Sequence, residues 1–557
     1  MSGFYDQKPW LKTYPEWLSQ AFTLPEGSIL DLFTSSVEAY PEDPCVCYFD
    51  AIYSYKEIHR MAGNLATALS DKGISQGDRV LLVMQNIPQA IVTSLAVWMC
   101  NAVVVPINPM YTARDVSHLL DDSGARLIVC QDDLYESNVK LAIEEIDPLC
   151  VITTSPLDML NTDEPIPKQL QHAERLSFPE TIDFLKLADN DTDRRLELPK
   201  PTADDLAYLV YTSGTTGPPK GAMLTHGNIV YNSKTYEVGI RMDRSDVVLG
   251  VAPLFHITGI VGHLAIAFRL GIPVVIFNRF DVADVLRLIE THHVTFVVAS
   301  ITVYIAILNH PASKKYSLAS LTKAYSGGAP VSPSTVKKFE ETLGPTIYNV
   351  YGLTESASPA TMTPLGLSGP VDQESGALSV GLIIPGLEAW IVDVDNPELE
   401  LPAGQPGELV LRGPCMVSGY WQKPAETANA IKDGRFHTGD VAKIDEQGWC
   451  YIVDRKKDLI NVSGYKVWPR DVEDVLYQHP AVIEAAVVGV PDDYRGETVK
   501  AFVAVSAEYR NKISPDELIS FCKEKLAAFK YPRIIEIIDE VPKTPTGKFL
   551  RRKLRQR

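Results

Sequence analysis

Arg79-Val80-Leu81-Leu82-Val83 is a strand-length apolar run, followed by an uncharged helical stretch over 89–100 and then by Val103-Val104-Val105. Two short apolar runs separated by a helix-length segment mark a βαβ unit, because two parallel strands need a crossover long enough to return the chain to the same end of the sheet. The alternation recurs at 113–121 with Leu127-Ile128-Val129, and at 282–291 with Thr295-Phe296-Val297-Val298. The sequence therefore predicts an α/β protein with parallel sheets. Near Ser379 the texture changes to short strands, over 388–394 and 407–412, broken by Gly and Pro. After Asp454-Arg455-Lys456-Lys457-Asp458 the pattern becomes helix 469–478, strands 485–490 and 500–505, and helix 515–526. This last unit has the size of one small α+β domain. The expected organisation is a large N-terminal α/β body over 1–378, a β-rich subdomain of that body over 379–454, and a C-terminal α+β domain over 455–557. The polar, proline-containing stretch 171–205 reads as an irregular surface connection.

The composition agrees with a large globular chain. Of 557 residues, 45% are hydrophobic and 22% charged, which supplies ample core and excludes wholesale disorder. The net charge of −18 argues against nucleic acid as a partner, although a local basic pocket can still take an anionic small molecule. The eight cysteines, Cys45, Cys47, Cys100, Cys130, Cys150, Cys415, Cys450 and Cys522, form no C-x-x-C pair and no zinc-spaced cluster with His, so they read as reduced, mostly buried thiols. Residues 1–10 carry Asp6 and Lys8 and lack the apolar core of a signal peptide, which makes the cytoplasm the expected compartment. The uncharged stretch 80–113 is cut by Asn86, Pro88, Asn101, Pro106 and Pro109, and the stretch 247–268 holds Pro253, His256, His263 and three glycines. Neither reaches the roughly 20 apolar residues of a membrane span, and both read as buried core. Peripheral membrane contact and a homodimer stay open.

Tyr208-Leu209-Val210-Tyr211 reads as a strand and runs into Thr212-Ser213-Gly214-Thr215-Thr216-Gly217-Pro218-Pro219-Lys220-Gly221. Glycines let backbone N–H groups turn inward, the hydroxyls donate to phosphate oxygens, and Lys220 adds a compact positive charge, so the segment has the parts of an anion cradle. It departs from a P-loop, because Gly221 rather than Ser or Thr follows Lys220 and two prolines stiffen the turn. Other signals fail. Gly73-Ile74-Ser75-Gln76-Gly77 fits the nucleophile-elbow spacing, but a helix over 61–71 precedes it and a strand follows, the reverse of the required order. No Gly-x-Gly occurs, which removes the dinucleotide fingerprint, and His292-His293 reads as structural.

The string Tyr211 to Gly221, continuing as Ala222-Met223-Leu224-Thr225-His226-Gly227-Asn228, resembles the signature of the adenylate-forming superfamily, which holds acyl-CoA synthetases, nonribosomal adenylation domains and beetle luciferases. Trp10-Leu11-Lys12-Thr13-Tyr14-Pro15 and Ile107-Asn108-Pro109-Met110-Tyr111-Thr112 resemble fatty acyl-CoA ligases, and the likeness continues to the C-terminus. It implies an acetyl-CoA synthetase-like fold whose small C-terminal domain is mobile about Lys457. It also implies ATP and Mg²⁺ as cofactors and coenzyme A as co-substrate.

The resemblance gives each motif a role. The ATP site would comprise Thr212, Ser213, Gly214, Thr215, Thr216, Gly217 and Lys220. Tyr351-Gly352-Leu353-Thr354-Glu355 is similar to the motif whose aromatic ring packs near adenine, with Thr354 at the phosphate and Glu355 holding Mg²⁺. The backbone of Ser326-Gly327-Gly328-Ala329-Pro330 would approach adenine and the acyl group, so Gly328 and Ala329 belong to both sites. Asp440, in His437-Thr438-Gly439-Asp440, would accept from both ribose hydroxyls, and Arg455 would reach the ribose or phosphates. Gly464 would line the pantetheine tunnel, and Lys548, in Pro542-Lys543-Thr544-Pro545-Thr546-Gly547-Lys548, would be the adenylation lysine. His256 would border the acid pocket, with Ser300 and Ile301 beginning another wall.

These positions carry no Asp or Arg for an amino-acid substrate, which favours an apolar acyl group. The expected activity is ATP-dependent ligation of a medium- or long-chain fatty acid to coenzyme A through an acyl-adenylate. The alternatives are an aryl or other acid, transfer to an amine or a carrier protein, and a nucleotide-binding scaffold without catalysis. No appended carrier domain is expected, and Asn461 and Ser463 stand where luciferases carry lysines.

Overall fold

The run Arg79–Val83 and the run Val103–Ile107 are parallel neighbours, Arg79 opposite Val103 and Val83 opposite Ile107, joined by the helix Pro88–Met99. The computed structural model describes residues 3–144, 148, 150–161, 163–190, 199–212, 219–329, 331–373, 376–455, 458–462, 465–492, 495–510, 512–543 and 549–555. Pro88 opens the crossover helix at a position where its missing N–H costs nothing. That helix is buried almost all round, and the Nε2 of its one strongly polar side chain, Gln89, donates to Thr154 Oγ1 at 3.0 Å and to the Ser155 carbonyl at 2.9 Å.

Among the described residues the strands form three sheets. One has seven strands in the order Ile182–Asp183, Cys150–Thr154, Leu127–Gln131, Arg79–Val83, Val103–Ile107, Leu206–Thr212 and Lys220–Thr225, parallel except for the last, antiparallel pair. A second sheet of 14 strands has a parallel centre, including Val248–Leu249, Phe296–Ala299, Lys323–Ser326 and Ile347–Leu353. It continues without a break into antiparallel strands that include Gly381–Ile383, Glu388–Val392, Gly407–Arg412, Arg435–Ile444 and Trp449–Arg455. The third sheet, built from residues 460–538, has its own core around Val467, Leu476, Val487, Ala501 and Leu518. The mixed α/β class expected from the sequence is observed, and the β-rich texture after 379 is an antiparallel extension of the second sheet.

The stretch 171–205 differs from the expected surface connection. It holds the strand Ile182–Asp183, parallel to Cys150–Thr154, and the helix Phe184–Ala188. Phe184 and Ala188 are fully buried, and Asn64 Nδ2 donates to the Ala188 carbonyl at 2.9 Å. Four apolar residues in a five-residue turn gave it a face to bury, which the polar flanks masked. The segment 73–77 is the turn between helix Tyr55–Asp71 and strand Arg79–Val83, with Gly73 and Gly77 at positive φ. His292 Nε2 lies 2.9 Å from the Phe49 carbonyl. All eight cysteines are free, seven of them buried. No helix among the described residues is long and apolar enough to cross a membrane.

Candidate active site

Four parallel strands, Val248–Leu249, Phe296–Ala299, Lys323–Ser326 and Ile347–Leu353, lie side by side in that order, so the segments leaving their carboxyl ends share one edge of the sheet. That edge is where open α/β sheets take ligands. His256 follows the first strand and caps the short helix Ile257–Gly259, its Nδ1 accepting from the Thr258 N–H at 3.3 Å. Gly259 lets that turn close, since a Cβ there would stand 2.2 Å from the Pro253 carbonyl oxygen. Ser300 follows the second strand at the start of helix Ile301–Asn309, with its Oγ 2.6 Å from Thr302 Oγ1 and Ile301 buried behind it. After the third strand, the Gly327 N–H donates to the Ala299 carbonyl at 3.0 Å, and Gly328 turns the chain at a φ of 77°. Ala329 packs half-buried against the core. The topology thus brings His256, Ser300, Ile301, Gly328 and Ala329 to one edge.

The fourth strand runs directly into the turn Thr354–Ser356, which presents Thr354 and Glu355, both half-buried. Gly352 has no room for a side chain beneath them, because its Cβ would meet the Ser358 carbonyl oxygen at 1.8 Å. Glu355 Oε1 accepts from the Tyr420 hydroxyl at 2.7 Å, and the Lys220 ammonium lies 4.8 Å from the centroid of the same tyrosine ring. Burial pushes the Glu355 carboxyl up and nearby Asp440 adds to this, while the Tyr420 hydrogen bond and the Lys220 charge pull it down. Glu355 therefore lies within electrostatic reach of both Lys220 and Asp440, although they are far apart in the chain.

Lys220 opens the strand Lys220–Thr225 directly opposite Thr212, the last residue of Leu206–Thr212, so the two ends of the expected cradle meet. Ser213, Gly214, Thr215, Thr216 and Gly217 lie outside the described residues. The base of the hairpin is held firmly. Tyr211 donates to Asp122 Oδ2 at 2.8 Å, Lys423 reaches Asp122 Oδ1 at 2.6 Å, and Gly221 leaves room for the Tyr211 ring, 3.2 Å from where a Cβ would be.

Asp440 lies in the strand Arg435–Ile444 and is 8% exposed; its Oδ2 accepts from the Tyr351 hydroxyl at 2.7 Å. The strand bulges just before it at Gly439, which has a φ of 70° and whose N–H donates to Glu408 Oε1 at 3.1 Å. Tyr351 was expected to offer its ring; the structure shows that its hydroxyl also ties the fourth parallel strand to Asp440. Arg455 is the register partner of Asp440 on the neighbouring strand, with its side chain outside the described residues, as are Lys457, Gly464 and Lys548 entirely. Tyr420 escaped the sequence reading. Gly419-Tyr420-Trp421 has no chemistry-bearing pattern, and only the strand contacts reveal its position.

Residues 33–421 match the family described as AMP-binding enzyme, and residues 471–548 match that family's C-terminal domain. The chain belongs to the AMP-binding enzyme family. Its relatives include the long-chain-fatty-acid–CoA ligase of Bacillus subtilis, 35% identical with 98% of each chain covered, and that of Escherichia coli, 34% identical with 99% of this chain and 98% of that one covered. The feruloyl-CoA synthase of an Amycolatopsis species is 33% identical over 93% of this chain and 96% of its own. Among solved structures, ATP-bound MatB from Rhodopseudomonas palustris superposes with a TM-score of 0.82 at 27% identity, over 95% of this chain and 98% of that one. The chain is thus an adenylate-forming enzyme, and the α/β fold expected from the resemblance is the one observed, while the expected hinge at Lys457 lies outside the described residues.

Proposed function

We propose that this AMP-binding enzyme is an acyl-CoA ligase that activates a medium- or long-chain fatty acid. The observation that carries the reading is the convergence of Lys220, Glu355 and Asp440 at the carboxyl edge of the parallel strands, beside segments with no acidic or guanidinium side chain at His256, Ser300, Ile301, Gly328 and Ala329. An acyl chain needs an apolar slot; ATP needs the charges.

In the first half-reaction a carboxylate oxygen bonds to the α-phosphorus while the bond to the bridging oxygen of pyrophosphate breaks. Asp440 would orient the ribose by accepting from its hydroxyls, and Arg455 would add charge beside it. Thr212, the loop Ser213 to Gly217 and Lys220 would hold the phosphates, joined by Thr354, with Tyr351 and the backbone of Gly328 and Ala329 against the adenine. Lys548 would neutralise charge developing at the α-phosphate. The residues present fit Mg²⁺: a nucleotide-bound Mg²⁺ asks for only one or two carboxylates, and Glu355, beside the Tyr420 ring that the Lys220 ammonium faces, would supply one. When bound, the ion offsets phosphate charge. In the second half-reaction a C–S bond forms to coenzyme A as the C–O bond to AMP breaks, with the C-terminal domain over 455–557 turned about Lys457 and Gly464 facing the thiol's path. The body over 1–378 and its β-rich subdomain over 379–454 would stay fixed. The cytoplasm is the compartment proposed, where all three substrates are at hand.

The test is ATP–pyrophosphate exchange with saturated acids of graded chain length alongside benzoate and ferulate, followed by thioester formation with coenzyme A. Exchange strongest with medium or long chains and a coenzyme A product support the reading. Preference for the aromatic acids would move the protein to the aryl branch, which the feruloyl-CoA synthase relative represents. No exchange with any acid would indicate a scaffold.

A further inference from the structure

Tyr420 is reached by three kinds of contact that no feature of its own sequence announces. Segment 419–421 runs beside the strand Lys220–Thr225 as an extra rung: Tyr420 bridges Ala222, the Met223 N–H donates to the Gly419 carbonyl at 3.1 Å, and the Trp421 N–H donates to the Gly221 carbonyl at 2.8 Å. The same segment is tied to the turn after the fourth parallel strand, where the Val417 N–H donates to the Glu355 carbonyl at 2.9 Å. Tyr420 thus stands where the seven-stranded sheet meets the larger one, 7% exposed, and its side chain divides between them. The hydroxyl donates to Glu355 Oε1, and the ring face meets the Lys220 ammonium.

The chemistry of this arrangement is directional. Lys220 and Glu355 carry opposite charges, and left to themselves in a half-buried crevice they would pair, neutralising each other before any phosphate arrived. Tyr420 supplies each with a separate neutral partner. An O–H donor to the carboxylate fixes one oxygen and so sets the direction of the other. The quadrupole of the ring attracts an ammonium without offering it an acceptor oxygen. Among the described residues no salt bridge joins Lys220 to Glu355.

We propose that Tyr420 is a positioning residue that keeps Lys220 and Glu355 apart and aimed at the polyphosphate end of ATP, and that its loss weakens binding of the metal-bound triphosphate while leaving the nucleoside monophosphate end untouched. The inference rests on the adenylate-forming reading above and names a residue that reading did not contain. Tyr420→Phe removes the hydroxyl and keeps the ring, so it isolates the hold on Glu355. Tyr420→Leu removes both.

Binding is measured by calorimetry with two probes: Mg²⁺ plus the α,β-methylene analogue of ATP, which cannot react, and AMP, which lacks the phosphates at issue. Tyr420→Phe should weaken the first about tenfold, the lower range for losing a hydrogen bond to a charged group, with AMP affinity unchanged. Tyr420→Leu should weaken it further, again without loss of AMP. In exchange assays the KM for Mg-ATP should rise in step while the KM for the acid holds. Equal affinity of Tyr420→Phe and wild type for the analogue would overturn the proposal. So would parallel loss of AMP binding, which would reduce Tyr420 to a structural tyrosine. Failure of the wild type to bind the analogue at all would instead refute the adenylate-forming reading.

Discussion

Gly352→Ala should disable adenylation by displacing two site residues at once. Gly352 lies opposite Pro359 in the antiparallel pair of Ile347–Leu353 with Ser358–Met362, one residue after Tyr351 and three before Glu355. A Cβ there would stand 1.8 Å from the Ser358 carbonyl oxygen, 2.5 Å from its carbon and 3.0 Å from Pro359 Cα. Raising the shortest of these to the 3.0 Å that real Cβ contacts respect requires the strands to part by about 1.2 Å. All three atoms are backbone, so no side chain can swing away, and Ser358 is already held at a φ of 90° with its carbonyl accepting from Ser356 Oγ at 2.8 Å. Overpacking of this kind costs about 1–3 kcal/mol in stability. Misplacing a reacting group by about 1 Å costs on the order of a hundredfold in rate. ATP–pyrophosphate exchange should therefore fall by about two orders of magnitude, with a lowered melting temperature. Gly63→Ala is the control: it lies inside helix Tyr55–Asp71 with nothing within 4 Å of a Cβ, and alanine gains about 0.8–1 kcal/mol over glycine in such a position. It should keep wild-type exchange and hold or raise the melting temperature. A Gly352→Ala enzyme with wild-type exchange and melting would refute the argument, since the strands would then have yielded without moving Tyr351 or Glu355.

Asp440→Ala should raise the KM for ATP by about ten- to a hundredfold, the range for losing hydrogen bonds to a charged group. Wild type should discriminate against 2′-deoxy-ATP and the variant should not; an unchanged discrimination would remove Asp440 from the ribose. Acid sensitivity should trace to buried histidine. His263 Nε2 lies 3.1 Å from the Val298 carbonyl and so carries the proton, and burial lowers its pKa from 6.5 to about 4. Between those values the unfolded chain binds more protons than the folded one, so stability is lost as the pH falls from about 6.5 towards 4. Burial lowers the pKa of His226 to about 4 as well, so His263→Gln should make that part of the melting-temperature profile shallower without abolishing its slope, and a curve parallel to wild type would contradict it. Lys548→Ala should lose acyl-adenylate formation, costing about 3–4 kcal/mol as for a transition-state charge partner, yet still convert supplied acyl-adenylate to thioester. Lys457→Pro and Gly464→Leu should do the reverse in single-turnover analysis, and equal loss of both steps in all three would exclude a two-conformation mechanism.

The α/β class was legible because its evidence is local. The alternation of strand-length and helix-length apolar runs from Arg79 to Ile107 needs only neighbouring residues to be read, as does the glycine- and hydroxyl-rich string after Tyr211. Element ends were less clear. Helix Tyr55–Asp71 begins six residues before the apolar periodicity suggested, where Ser54 and Glu57 form a capping box. The helix Phe184–Ala188 was hidden by polar flanks, since five residues are too few to show a period.

By itself, the sequence determined the chemistry available: a glycine- and hydroxyl-rich string ending in Lys220, a carboxylate at Glu355, another at Asp440, and an uncharged group of residues at the positions proposed for the acyl moiety. Which of these meet was decided by the tertiary structure. Strand order places four carboxyl ends side by side. Asp122 joins Tyr211 to Lys423 across 89 and 301 residues of chain, and Tyr351 reaches Asp440 across 89. Tyr420 reaches Glu355 across 65. Hydrogen bonds and cation–π contacts act over a few ångströms, so such pairs exist only after the sheets have assembled, and no local pattern in the chain records them.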